Sequence, residues 1–289
     1  MWRMPSHFAT MGRTVAVMYE SFFEMNHTPF TRGIPAECLY MSSQMEDAIG
    51  RLKYGADHQL FSVVIAESGC GKSTMIRRLS YELPPDKYQM LYLSDSKLTP
   101  RWLYAGLLDQ MGLAAKFYRG DSKRILQKEI RRIRTESRKN VVCVLDEAHL
   151  LEKDTLEEFR FLLNEDMDSV SPMSLVLVGQ TELWEQKLRL QLYAAIEQRI
   201  DTMITLNRLD RSETGKYIAA HLAYAGGKQD LFTTDAEDQI YKVSAGIPRM
   251  INRVCSKMLM YAYQQQNRLI DGHMVRFVSE HEMVGGVER

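Results

Sequence analysis

Leu60-Phe61-Ser62-Val63-Val64-Ile65-Ala66-Glu67-Ser68-Gly69-Cys70-Gly71-Lys72-Ser73-Thr74 passes from an apolar run of β-formers through a Gly-rich turn into a stretch of helical periodicity, Gly71–Leu83. A strand that enters a helix through such a turn can aim backbone N–H groups inward around phosphate oxygens. The helix N-terminus adds its partial positive charge. Ser68, Gly69, Cys70, Gly71, Lys72, Ser73 and Thr74 are therefore the expected phosphate cradle. Lys72 would reach the β- and γ-phosphates of ATP, and the Ser73 hydroxyl would coordinate Mg²⁺. Ala66 stands where the GxxxxGKS pattern has its first glycine. It adds one methyl group at the strand end and leaves Gly69, Gly71, Lys72 and Ser73 in place.

A second apolar strand ends in two acids: Val141-Val142-Cys143-Val144-Leu145-Asp146-Glu147-Ala148-His149. Its spacing from the Gly-rich turn suits the acidic strand of a P-loop ATPase. Asp146 would hold Mg²⁺, directly or through water, and Glu147 would polarise the attacking water as general base.

Around these two segments, strand and helix alternate. Tyr88–Leu93, Asn140–Leu145, Ser174–Val178 and Thr202–Leu206 read as further strands. Ser42–Tyr54, Pro100–Met111, Ser122–Ser137, Asp154–Asp166 and Leu183–Gln198 read as helices, the last in one or two pieces. This pattern predicts an α/β fold with a five-stranded parallel sheet covered by helices. After Leu209 only helices are expected: Ser212–Ala225, Asp235–Ser244, Pro248–Gln266 and Gly272–Glu282. The expected division is a weakly structured extension over 1–17, an α/β domain with an N-terminal linker over 18–208, and a small helical domain over 209–289.

The 289 residues are long enough to bury a real core, and 45% apolar with 26% charged residues is ordinary for a globular protein. The four cysteines (Cys38, Cys70, Cys143, Cys255) form no CxxC pair, so neither a zinc ribbon nor a disulfide framework is indicated. No apolar stretch approaches the roughly 20 residues that span a bilayer. The N-terminus lacks the apolar core of a signal peptide. The expected setting is reducing and cytoplasmic, in a bacterium, without a membrane partner.

Taken together, these motifs resemble the AAA+ ATPases with a helical lid. More narrowly they resemble the ExeA-like and transposition-regulator branch, which includes the Mu B, TnsC and IstB-like ATPases. The resemblance is carried by Met18-Tyr19-Glu20-Ser21-Phe22-Phe23, Pro29-Phe30-Thr31, Leu145-Asp146-Glu147-Ala148-His149, Leu177-Val178-Gly179-Gln180-Thr181-Glu182-Leu183, Gln198-Arg199-Ile200 and Gly246-Ile247-Pro248-Arg249. It implies a P-loop ATPase that uses ATP and Mg²⁺. It places Gln180 at the sensor 1 position and Arg249 at sensor 2. It makes Arg199, with Arg189 as the rival, an arginine finger offered to a neighbouring subunit, so that hydrolysis requires a homo-oligomer, ring or helical filament. Phe30 either packs by the adenine or belongs to the core.

The formal charge of zero conceals two opposed segments. Residues 116–139 hold ten bases and three acids, a local +7, and residues 145–168 hold nine acids and two bases, a local −7. A basic stretch of that density can follow a phosphate backbone, or it can be a solvated helix paired with acidic neighbours. The resemblance makes Lys97, Thr99 and Arg101 the leading DNA-contact candidates, with Lys116 and Arg119 next. An ordinary helix cap at Ser96 or Thr99 is the alternative. Nothing reads as a base-reading module, so binding to double-stranded DNA would be largely sequence-independent. The leading functional expectation is an ATP-dependent, oligomeric regulator of DNA transposition that works with a DDE-type transposase. The alternatives are an ExeA-type secretion-assembly ATPase, whose membrane and peptidoglycan-binding regions are not seen in this sequence, and a nucleotide-controlled protein-interaction switch.

Overall fold

A computed structural model describes residues 19–95, 98–164, 171–228 and 230–281. Lys97 and Ser96, the tails expected at 1–17 and 284–289, and the end of the helix expected at 154–166 lie outside these residues. The chain divides into two compact units, one made of residues 41–207 and the other of residues up to 40 together with 208–289.

The first unit is an α/β sandwich. Its elements in chain order are α1 (Ser43–His58), β1 (Phe61–Ala66), α2 (Lys72–Glu82), β2 (Tyr88–Leu93), α3 (Pro100–Gln110), α4 (Arg119–Thr135), β3 (Asn140–Leu145), α5 (Lys153–Leu162), β4 (Ser174–Gly179) and β5 (Thr202–Leu206). The strands form one parallel sheet in the order β2-β3-β4-β1-β5. β1 and β4 are buried along their whole length, which is why both read as uninterrupted apolar runs. β2 is an edge strand and only half-buried. Helix α1 starts at Ser42, whose hydroxyl accepts the Met45 N–H at 3.2 Å. Helix α2 is anchored by Met75, Ile76 and Leu79, all buried under the sheet, each contributing about 1.5–3 kcal/mol of apolar burial.

One expectation changes here. The helix predicted over 183–198 is broken into four short pieces, Thr181–Leu183, a π-helical turn Trp184–Leu188, a 3₁₀ turn Gln191–Tyr193 and Ala194–Glu197. No Gly or Pro interrupts this stretch. Packing breaks it, because Leu183, Leu188, Tyr193 and Ile196 are all buried, and no single straight helix turns four residues at these spacings to one face.

The second unit is helical: α6 (Arg211–Ala225), α7 (Thr234–Ser244), α8 (Pro248–Gln264) and α9 (Gly272–His281). Asp210 and Thr233 cap α6 and α7 by accepting the Glu213 and Ala236 N–H groups. The residues from Tyr19 to Tyr40, expected as a linker of the α/β domain, group instead with these helices. Tyr19, Phe23, Met25 and Phe30 are buried in one cluster with Ile218, Leu222, Met258 and Val278. Apolar burial decides the placement of this segment, which sequence adjacency had assigned to the other unit.

Candidate functional site

β1, β4 and β3 are adjacent and parallel, so their C-terminal ends open on the same edge of the sheet. The register sets Ile65 opposite Gly179 and Leu145 opposite Leu177. With strands about 4.8 Å apart, the loop after β1 and the acids after β3 flank the end of β4 within roughly 10 Å of each other. The order therefore brings together the Gly-rich turn, Asp146, Glu147 and Gln180, which are far apart in sequence.

The turn has the conformation expected of a phosphate cradle. Gly69 and Gly71 have φ of +88° and +96°, values that favour glycine and rotate successive N–H groups toward one side. Cys70 is buried between them. Lys72 opens α2 and is only 8% exposed. Its ammonium donates to the carbonyls of Ala66 at 2.8 Å and Glu67 at 3.1 Å. A nearly buried cation at a helix N-terminus, solvated by loop carbonyls and facing half-open glycines, is a donor set suited to a triphosphate. The Ala66 methyl group lies within the sheet at 1% exposure and takes nothing from the loop. Ser73 is exposed and Thr74 half-buried in the first turn of α2.

Asp146 is buried at 5% exposure. Its backbone N–H continues the sheet by donating to Leu93 O at 2.8 Å. Its Oδ1 accepts the Glu147 N–H at 2.9 Å, and its Oδ2 accepts the Tyr92 hydroxyl at 3.0 Å. Ser73, in the first turn of α2, and Asp146, at the end of β3, both carry hard oxygen donors, the ligand type that Mg²⁺ prefers. Glu147 follows in the left-handed region at φ +54°, an uncommon conformation for a side chain of this size. It turns the chain sharply into the 3₁₀ turn Ala148–Leu150.

Gly179 ends β4 where a Cβ would lie 2.8 Å from the Leu183 side chain and 3.2 Å from the His149 backbone nitrogen. The glycine lets that turn approach β4 closely, and Gln180 follows it directly. Tyr92 and His149 are the two residues of this site that the sequence did not single out for a role. Only their positions, at the end of β2 and three residues after Asp146, point to them.

Residues 55–186 match an AAA domain family. Over 258 residues it is 32% identical to the General secretion pathway protein A of Aeromonas hydrophila, covering 88% of this chain and 46% of that protein. The chain thus spans about half the length of that curated relative. The fold is also that of Cdc6p from Pyrobaculum aerophilum, with a TM-score of 0.67 and 16% identity over 90% of this chain and 71% of the other. The ORC1 protein of Aeropyrum pernix, solved in complex with DNA, gives 0.62 and 14% over 86% and 67%. At those identities the likeness is one of fold: the five-stranded parallel sheet of the P-loop NTPases.

The remaining sequence-predicted residues are scattered. Arg199 is half-buried just before β5, after the Ala194–Glu197 turn, and Arg189 is exposed at the end of the π-helical turn. Arg249 lies in the first turn of α8 in the helical unit. Phe30 sits in the core of that unit, stacked on His221 at 5.1 Å with nearly parallel rings, so the core alternative holds for it.

Of the nucleic-acid candidates, Arg101 is exposed with its guanidinium over the Phe117 ring at 5.0 Å. Thr99 precedes Pro100 at the N-cap of α3, but its hydroxyl caps nothing. Lys116 uses its backbone to bond Ser122. Arg119 is committed to Glu158 at 2.9 Å, with Lys123 at 3.7 Å from the same carboxylate. Part of the +7 segment is thereby neutralised by the −7 segment, through a Glu158 side chain only 8% exposed that also receives the Tyr104 hydroxyl. Among the described residues no helix is long and apolar enough to cross a membrane.

Proposed function

We propose that this chain is the ATP-driven part of an ExeA-like assembly machine: it binds ATP with Mg²⁺, hydrolyses it, and uses the cycle to build or remodel a protein complex of the bacterial envelope from the cytoplasmic side. The observation that carries the ATPase reading is the junction of Lys72, Asp146, Glu147 and Gln180 at three neighbouring strand ends. The 32% identity to General secretion pathway protein A supports the choice of a protein-assembly role over transposition. In this reading Lys72 and the N–H groups of Ser68–Thr74 hold the triphosphate, and Ser73 and Asp146 hold Mg²⁺, which supplies charge neutralisation to phosphoryl transfer. Glu147 takes the proton from the attacking water, and Gln180 orients that water or the γ-phosphate. Arg199 serves a neighbouring copy in a ring or filament, and Arg249 answers to the nucleotide of its own chain.

The test is nucleotide binding and turnover in wild type and Lys72→Ala, with oligomeric state measured in the ATP-analogue and ADP forms. Loss of binding in Lys72→Ala and assembly only with the ATP analogue support the reading. Binding unaffected by Lys72→Ala refutes it.

A second reading, a DNA-bound transposition regulator working with a DDE-type transposase, is favoured by one feature. Trp102, Phe117 and Tyr118 are 63%, 73% and 70% exposed beside Arg101 and Lys116, a mixture of aromatic and basic groups suited to nucleic acid. A gel shift with duplex DNA in the ATP-analogue and ADP states separates the two readings. No shift at low salt in either state removes this one.

A further inference from the structure

Tyr92 is on the edge strand, yet both of its outward-facing backbone groups are bonded. Toward the sheet it is registered with Val144 of β3. On the open side the side-chain amide of Gln110, the last residue of α3, accepts the Tyr92 N–H at 2.8 Å and donates to the Tyr92 carbonyl. An edge strand normally leaves these groups to solvent; here a single glutamine clamps a residue whose phenol reaches the acidic strand. That phenol donates to Asp146 Oδ2 at 3.0 Å, and the Ser94 side chain also bonds the hydroxyl.

We propose that Tyr92, clamped by Gln110, is a positioning residue for Asp146: it fixes the plane of the metal-binding carboxylate. The inference rests on the nucleotide reading of the site. With Oδ1 on the Glu147 N–H and Oδ2 on the phenol, the carboxylate cannot rotate about its terminal bond without breaking both hydrogen bonds. Its remaining lone pairs keep one direction. Outer-shell donors of this kind change metal affinity or activity by about 10–100-fold when removed. Tyr92 touches neither the nucleotide cradle nor Glu147 through any bond described above, so its effect should fall on the cation and spare the nucleotide.

The experiment uses the full chain and a fluorescent ADP analogue, titrated with Mg²⁺ and repeated in EDTA. Tyr92→Phe is expected to raise the Mg²⁺ midpoint about tenfold while leaving affinity in EDTA unchanged. Gln110→Leu, which keeps the phenol and releases the backbone clamp, is expected to shift it in the same direction by less. Midpoints within twofold of wild type in both variants would overturn the proposal. So would equal weakening with and without Mg²⁺, which marks a general structural defect. If Tyr92→Phe does not fold, Gln110→Leu alone decides. Failure of the wild-type chain to bind the analogue at all would instead refute the nucleotide reading, and this inference with it.

Discussion

The side-chain amide nitrogen of Gln180 lies 3.1 Å from Nε2 of His149, and Nδ1 of the same ring lies 3.6 Å from the Glu147 carboxylate. The ring stands between the end of β4 and the acid that follows β3. A neutral imidazole has one donor and one acceptor. The Gln180 backbone N–H can only donate, and it donates to Nδ1 at 3.4 Å, so in a neutral ring Nδ1 is the acceptor and Nε2 carries the proton toward the Gln180 side-chain amide. The expected consequence is that His149, bonded to Gln180 and close to the Glu147 carboxylate, keeps Gln180 in place beside Glu147. His149→Ala should lower kcat about tenfold, a typical cost for an orienting partner, with nucleotide affinity unchanged. Steady-state turnover beside fluorescent-nucleotide binding checks this. A loss of affinity with kcat intact would assign His149 to binding instead.

Gly246→Ala should unfold the helical unit or nearly so. Gly246 has φ +72°, and a Cβ there would lie 1.9 Å from the Leu209 carbonyl oxygen, while Leu209 N–H donates to Gly246 O at 2.9 Å. Backbone cannot retreat as a flexible side chain can. The cost should be about 3 kcal/mol or more, read as a fall in Tm of the transition that belongs to this unit. A Tm within 2 °C of wild type, about 0.5 kcal/mol or less, would contradict the close approach. Arg249 follows three residues later, so the Gly-Ile-Pro-Arg segment is first a backbone requirement and only then a candidate for nucleotide sensing.

Acid should destabilise the same unit through His221. Burial lowers its pKa from 6.5 to about 4. Its Nδ1 accepts the Phe30 N–H at 3.1 Å, which requires the neutral ring. Between pH 6.5 and 4 the unfolded chain binds this proton and the folded chain does not. Stability from this group is therefore complete above pH 6.5 and lost as pH falls toward 4, by about 3 kcal/mol in all. Chemical denaturation between pH 7 and 4 should show this slope, and His221→Gln should remove that part of it. An identical pH dependence in the variant would contradict the assignment.

Arg199→Ala should bind nucleotide normally and lose turnover, and should regain part of it when mixed with Glu147→Gln. One copy then supplies the arginine and the other the glutamate. Arg199→Ala turning over at the wild-type rate would leave Arg189 as the finger. Activity in mixtures that never exceeds the sum of the separate variants would remove the requirement for a neighbouring subunit.

The parallel sheet was legible because its central strands β1, β3 and β4 are buried on both faces. Asn140–Leu145 and Thr202–Leu206 can be bounded from apolar runs and flanking turn residues alone, and the Gly-rich turn names its own chemistry. What was not legible depends on contacts across the fold. Tyr19 to Phe30 packs on residues some 200 positions away, and no local pattern says so. The break in 181–197 comes from burial of Leu188 and Tyr193, with no helix-breaking residue to announce it. Sequence left open whether the basic stretch follows a phosphate backbone or pairs with acidic neighbours, because the Glu158 carboxylate that meets Arg119 and Lys123 lies 39 and 35 positions later. Tyr92 was read only as a strand residue, since the hydroxyl's partner is fixed by the register of β2 on β3.

ATP turnover by Glu147→Gln, measured beside its nucleotide affinity, tests the central claim most directly. If Glu147 is the general base beside the Lys72 cradle, the variant binds ATP as tightly as wild type and hydrolyses it at least about 100-fold more slowly. Turnover equal to wild type would contradict the account.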